Sequence, residues 1–197
     1  MKVRYIVGVD EAGRGPLAGP VSVGVVAIPV KLSKNYKNIK NSKLLSKKRR
    51  EEWFSVLKKE RKEGKLNWGV STVSHLIVDR DGISRAVRVA IRRSLKKIDV
   101  EPKECRILLD GGLKAPKEFA FQETFIRGDE RISIIALASI VAKVYRDKKM
   151  TRLAKVYPEF KFDIHKGYGT KLHRRLIRKY GPSPIHRISF LTRILTK

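Results

Sequence analysis

The sequence predicts an α/β fold, a mixed sheet flanked by helices, on three observations. Residues 5–10 and 20–28 are short, β-branched-rich runs of strand character. Residues 83–95 carry Ile83, Ala86, Val87, Ala90, Ile91 and Leu95 at helical spacing. Residues 132–144 are apolar almost all round, as a helix buried against a sheet must be.

Taken in order, the first two strands are neighbours joined by residues 11–19, a glycine-containing turn. Residues 30–41 are lysine-rich and aperiodic and predict an exposed loop. Ser46 can cap a helix whose Trp53, Phe54 and Leu57 form an apolar stripe. Lys47, Lys48, Arg49 and Arg50 crowd its first turn, at the positive end of the helix dipole, where an anionic partner would be welcome. Residues 66–74 alternate as a third strand, and Asp79 or Asp81 opens the helix through Leu95. The cations on the other side of that helix, among them Arg85, Arg88 and Arg92, fit a solvated face. Residues 106–109 form a short buried strand ending at Asp110-Gly111-Gly112, and residues 119–127 form another. Gly128-Asp129-Glu130 breaks the chain before the buried helix. Along that helix Ser139, Lys143, Arg146, Asp147 and Met150 share roughly one face. An ordinary i, i+4 ion pair between Lys143 and Asp147 explains part of that face equally well. Beyond Tyr157-Pro158 the chain becomes more basic, with a helix carrying Leu172, Leu176, Ile177 and Tyr180 that stops at Gly181-Pro182. Ile188, Leu191 and Leu195 then stand at helical spacing in a segment expected to pack back on the core. The order strand, strand, strand, helix, strand, strand, helix is that of an α/β domain over residues 1–158, with a helical extension over residues 159–197.

The 197-residue length suits one core and an appendage. There are 46 Lys and Arg against 19 Asp and Glu, a formal charge of +27, and 42% of residues are hydrophobic. A folded chain with so basic a surface points to a nucleic-acid partner. Cys105 is the only cysteine, which excludes an intramolecular disulfide and a cysteine-rich zinc site and implies a reducing compartment. The longest apolar run, residues 21–30, is about half of a membrane span. The first apolar run ends at Asp10, too soon for a secretory core, so a cytoplasmic, membrane-free protein is expected.

Asp10-Glu11 ends the first strand and Asp110 ends the fourth, each handing over to glycine. A polar turn explains either one alone. Strand ends are also where α/β folds hold ligands. If Asp10, Glu11, Asp110 and Asp147 converge, repulsion would protonate some of them unless cations intervene, and oxygen ligands favour Mg²⁺ or Mn²⁺. Two such ions can drive an in-line displacement at phosphorus, which is phosphodiester hydrolysis. A non-catalytic basic binding protein on the same fold has no use for four acids facing a polyanion.

Five blocks occur in order: Asp10-Glu11-Ala12-Gly13-Arg14-Gly15-Pro16-Leu17-Ala18-Gly19-Pro20, then Leu109-Asp110-Gly111, then residues 138–147 (ASIVAKVYRD), then His165-Lys166-Gly167-Tyr168-Gly169-Thr170, and finally Gly181-Pro182-Ser183-Pro184-Ile185-His186-Arg187. Together they resemble the ribonuclease HII family, the type 2 ribonucleases H. The resemblance implies a ribonuclease H-like fold and endonucleolytic cutting of RNA/DNA hybrids and of ribonucleotide-containing duplex DNA, by a monomer using two Mg²⁺ or Mn²⁺ ions. It assigns the metal-binding and catalytic roles to Asp10, Glu11, Asp110 and Asp147. It gives Gly13, Arg14 and Gly15 the reading of the 2′-hydroxyl, and Tyr168 the sugar that follows, although between two glycines Tyr168 also fits a core plug. Ser139, Lys143 and Arg146 fall near backbone phosphates. Ser42 and Lys43 belong to a loop that departs from the family's usual Asp-Ser-Lys-Lys-Leu-Ser at Asn41 and Leu44. Ribonuclease HIII, a sister family, differs in an added N-terminal domain, a Glu as fourth acid and the middle residue of the glycine turn.

Overall fold

The protein is seen in a computed structural model that describes residues 2–36, 39 and 45–195. Ser42, Lys43 and the departures at Asn41 and Leu44 lie outside the described residues. Five strands form one sheet: β1 (Tyr5–Ala12), β2 (Val21–Pro29), β3 (Asn67–Val73), β4 (Cys105–Asp110) and β5 (Phe121–Phe125), in the order β3-β2-β1-β4-β5. The strands β1, β2 and β3 are antiparallel neighbours, whereas β4 runs parallel to β1 and β5 parallel to β4. The β1 and β4 register runs from Tyr5 opposite Cys105 to Val9 opposite Leu109, so its next step brings Asp10 beside Asp110. That register is the first reason two acids distant in sequence become neighbours.

The helices are α1 (Lys47–Lys62), α2 (His75–Asp81), α3 (Ile83–Leu95), α4 (Gly128–Arg131), α5 (Ser133–Val156), α6 (Phe162–His165), α7 (Lys171–Tyr180) and α8 (Thr192–Leu195). Because side chains alternate along a strand, Val7, Val9, Val23, Val25 and Ile107 fall on one sheet face, where α3 buries Ala86, Val87, Ala90 and Ile91 against them. The opposite face carries α5, with Ile135, Leu137, Ile140 and Val141 packed on Val26 and Ile28 and on Phe54 and Leu57 of α1. The helix lies directly on the strands because Gly8 and Gly24 are beneath it. A Cβ at either position would run into the backbone carbonyls of Ile134 or Ala138. A third core joins Leu17 and Ala18 of the first turn to Met150, Phe160, Phe162 and Ile177. Each fully buried side chain of this size contributes about 1.5–3 kcal/mol. No described helix is long and apolar enough to cross a membrane.

Several expected boundaries differ. Val30–Tyr36 is a 3-10 helix rather than a loop, because Leu32, Tyr36 and Ile39 pack against the α5 face while the lysines stay outside. The helix expected to open at Asp79 or Asp81 is two helices, α2 and α3, separated at Gly82 with φ 81°. Asp79 therefore lies inside α2, and its carboxylate accepts the backbone N–H groups of Ile188 at 2.8 Å and Ser189 at 3.1 Å, tying down the last segment. The buried helix continues through Val156 with a polar second half. The last segment is a 3-10 turn, Ile188–Phe190, followed by α8.

Candidate active site

Asp10 leaves β1 on the α5 side, the face on which Gly8 meets Ile134. Its residue is 1% exposed; Oδ1 accepts the Glu11 backbone N–H at 2.7 Å, and Oδ2 is buried without a hydrogen-bond partner. Burial, then the charge of Glu11 and to a lesser degree that of Asp110, push the Asp10 carboxyl well above the usual carboxylate range, against the Ser139 hydroxyl and the Glu11 amide. The strand ends at Ala12, one residue past Glu11, and Gly13 then turns the chain with φ 95°. Arg14 Nη1 stands 3.8 Å from Glu11 Oε1, a loose, half-exposed contact.

Asp110 is aimed by a residue the sequence reading passed over. Its Oδ1 accepts the backbone N–H of Gly128, at the start of α4, at 2.6 Å. The next residue, Asp129, is fully buried. Reading Gly128-Asp129-Glu130 only as a break hid it; the available signal was an acid directly after a glycine at a helix start.

The glycine turn is held from behind by two fully buried arginines. Arg187 donates from Nη2 to the Gly13 carbonyl at 2.7 Å, from Nη1 to Arg14 at 3.0 Å and from Nε to Gly19 at 3.0 Å. Arg146 donates from Nε to Pro20 at 2.9 Å and from Nη2 to Ala18 at 3.3 Å. A Cβ on Gly13 would collide with the Arg146 side chain. Burial lowers the Arg146 pKa and brings that of Arg187 to about 10. Arg146 thus braces the turn and, at 0% exposure, is withdrawn from any backbone phosphate, which corrects its expected role. Arg187, absent from the expected site residues, is the larger of the two braces.

In front of the turn lies a cavity of about 290 Å³ that brings together Asp10, Glu11, Asp110, Gly13, Arg14, Gly15, Ser139, Lys143 and Tyr168, with Arg50 of α1 at its margin. Tyr168 is 40% exposed, so it is no core plug. Lys143 Nζ and the Arg146 guanidinium each stand 5.5 Å from its ring centre. Asp147 does not line this cavity. It lines the adjoining groove with Lys47, Lys148, Arg152 and Lys166, and accepts Lys143 Nζ at 3.0 Å. The reason is helical rise: Ser139 is the α5 residue opposite Asp10, and eight residues further on is about 12 Å along the axis. The i, i+4 ion pair is therefore what Asp147 makes.

The cavity's acids fit a hard divalent cation: carboxylate oxygens, one of them desolvated and unpartnered, with no thiol or imidazole beside them. They line one space without closing into a ready-made ligand cluster among the described residues.

A model of the family described as Ribonuclease HII matches residues 7–193. A Ribonuclease HII of Caldicellulosiruptor bescii is 41% identical over 193 residues, covering 98% of this chain and 89% of that protein. Among solved structures, the ribonuclease H2 from Pyrococcus horikoshii superposes with a TM-score of 0.71 at 26% identity, over 98% of this chain and 100% of that one. The structure of Bst-RNase HIII in complex with Mn2+ gives a TM-score of 0.74 at 17% identity, over 99% of this chain and 70% of that one, a likeness of fold.

Proposed function

We propose that this chain, which belongs to the ribonuclease HII family, cuts the RNA strand of RNA/DNA hybrids and nicks duplex DNA on the 5′ side of an embedded ribonucleotide. Endoribonuclease activity on hybrids comes with the family. The finer reading rests on one observation: carboxylates from two parallel strands share a cavity with the glycine turn and Tyr168.

Asp10, Glu11 and Asp110 would hold Mg²⁺ or Mn²⁺. A divalent ion held by these carboxylates would supply water activation and charge compensation for an in-line displacement at phosphorus. The desolvated Asp10 oxygen is the ligand whose burial is hardest to explain otherwise. Asp129, fully buried and one residue beyond the amide that aims Asp110, completes the acidic set in place of Asp147. Asp147 acts on Lys143, keeping that cation beside the Tyr168 ring.

Recognition falls to the turn. Arg187 and Arg146 occupy carbonyls of Gly13, Arg14, Ala18, Gly19 and Pro20, so the turn meets a ligand with its donors. Donors at close approach are what a 2′-hydroxyl needs in order to be read. Tyr168 packs on the following sugar, Lys143 and Ser139 serve the flanking phosphates, and the +27 surface supplies sequence-independent affinity. Residues 1–158 carry the chemistry, residues 159–197 support it, and one copy suffices.

The test is a DNA duplex containing a single ribonucleotide, incubated with Mg²⁺ or Mn²⁺. The expected product is one nick on the 5′ side of the ribonucleotide. Equal cutting of the all-DNA duplex would refute the reading.

A further inference from the structure

Two consecutive residues of the closing segment, His186 and Arg187, reach different parts of the cavity wall. Arg187 spans the carbonyls of Gly13, Arg14 and Gly19. His186 reaches Tyr168 through one intermediary, and its chain of hydrogen bonds has a single proton order. The Ser183 backbone N–H donates to His186 Nδ1 at 2.8 Å, so that nitrogen carries no proton, and the Ser183 hydroxyl oxygen lies 2.8 Å from the same atom. The proton is then on Nε2, which donates to Nε2 of His173 at 3.0 Å. His173 in turn carries its proton on Nδ1 and donates to the Tyr168 carbonyl at 3.0 Å. Both imidazoles are fully or nearly fully buried, at 0% and 1% exposure, and His165 stacks on His173 with ring centres 4.1 Å apart. The same segment is stitched to the turn itself: Ala18 forms a β-bridge with His186, the Arg187 N–H donates to the Leu17 carbonyl at 2.8 Å, and the Leu17 N–H donates to Gly167 at 2.8 Å.

We propose that His186 and Arg187 are positioning residues that set the separation between Gly13-Arg14-Gly15 and Tyr168 without touching substrate. The inference rests on the roles given to those two elements above. Its physical ground is that a reader of one hydroxyl and a platform for the next sugar work together only at a fixed spacing, where a shift of about 1 Å can cost a hundredfold in rate. Adjacent residues on one backbone are a stiff way to fix it. Neither Ser139 nor Lys143, on α5, is hydrogen-bonded to His173, His186 or Arg187; Lys143 meets Tyr168 at its ring, not at the carbonyl that His173 holds.

The experiment is a double-mutant cycle on the single-ribonucleotide duplex, reading kcat/KM, with thermal melting of every variant. His186→Phe keeps the ring volume but breaks the chain. His186→Gln restores it, since an amide can accept from Ser183 and donate to His173. We expect a loss of about tenfold for His186→Phe, recovery to within about threefold for His186→Gln, and almost no further loss when His186→Phe is added to Tyr168→Ala. Arg187→Lys, which keeps the charge but not the fork, should lose about tenfold in the wild-type background and clearly less when Tyr168→Ala is already present. A folded His186→Phe protein with unchanged kcat/KM, or the same loss with Tyr168 already removed, overturns the proposal. Should His186→Phe not melt cooperatively, Arg187→Lys decides alone: an unchanged kcat/KM overturns it. An unimpaired Tyr168→Ala protein instead overturns the reading of Tyr168 as the sugar contact, whereas an impaired one beside an intact His186→Phe protein overturns this inference only.

Discussion

The two sides of the cavity are both rich in buried polar groups and are built on opposite plans. On the carboxylate side, Asp10 and Glu11 sit at the end of one strand beside Asp110, so like charges face one another and one Asp10 oxygen has no partner. On the side made by the last forty residues, His165, His173, His186 and Arg187 are each hydrogen-bonded to backbone or to one another. Burial of charge is tolerated in the first place because a ligand can repay it, and in the second because the protein already has. The contrast teaches where to look for function: in the buried polar group left unsatisfied, with the satisfied cluster beside it acting as its frame.

Substitutions should therefore behave differently on the two sides. The largest effect is expected from Asp110→Asn, which should lower turnover by roughly three orders of magnitude while leaving the melting temperature and duplex binding nearly unchanged. Activity surviving in that variant would place the chemistry elsewhere. Next, Asp129→Asn should reduce turnover by about a hundredfold and Asp147→Asn by less than about tenfold, since the latter only releases Lys143. The opposite ranking in a single-turnover assay would return Asp147 to the metal. On the frame side, Gly13→Ala should lose about 2 kcal/mol of stability in denaturant melts, because φ 95° and the Arg146 side chain both oppose a Cβ.

The smallest effect is a pH dependence that the two sides contribute with opposite sign. Burial holds His173 at about 3 and His186 at about 4, below the ordinary value near 6.5. The unfolded chain binds protons there that the folded chain refuses, so their contribution to stability is whole above about pH 6.5 and declines as pH falls toward 4. Asp10, held high, acts in reverse: its folded form keeps a proton that the unfolded chain gives up, so it weakens the fold as pH rises past the usual carboxylate range. Melting temperatures between pH 4 and 7.5 should fall on acidification, and His186→Phe should flatten that fall. Asp10→Asn should raise the melting temperature at neutral pH without added metal. A His186→Phe protein whose melting temperature follows pH as the wild type's does over that interval would dissolve the distinction.

How much of this was legible beforehand follows the same division. The sheet, the two helical faces and the cavity's Asp10, Glu11, Asp110 and Gly13 could be read because strand length, helical period, strand-end acids and the glycine turn are local signals, whereas Tyr168 is singled out by the family resemblance and not by any local pattern. The break at Gly82 and the 3-10 helix at residues 30–36 could not, since tertiary packing of Leu32 and Tyr36 decides the second. Arg146 reads like any helix cation near a phosphate; only the path of the turn over α5 reveals that it faces inward. Asp147 shares a helix stripe with Ser139, and stripe periodicity carries no information about how far along the axis the cavity extends. Arg187 bonds to residues more than 160 positions earlier, a partnership that no local pattern encodes.

The most direct test of the central claim, that Asp10, Glu11 and Asp110 form a divalent-metal site, is a calorimetric titration of Mn²⁺ into the protein without nucleic acid. We predict saturable binding to the wild-type chain, at least tenfold weaker binding to Asp110→Asn, and no change for Asp147→Asn. Equal Mn²⁺ affinity in the wild-type and Asp110→Asn proteins would contradict the account.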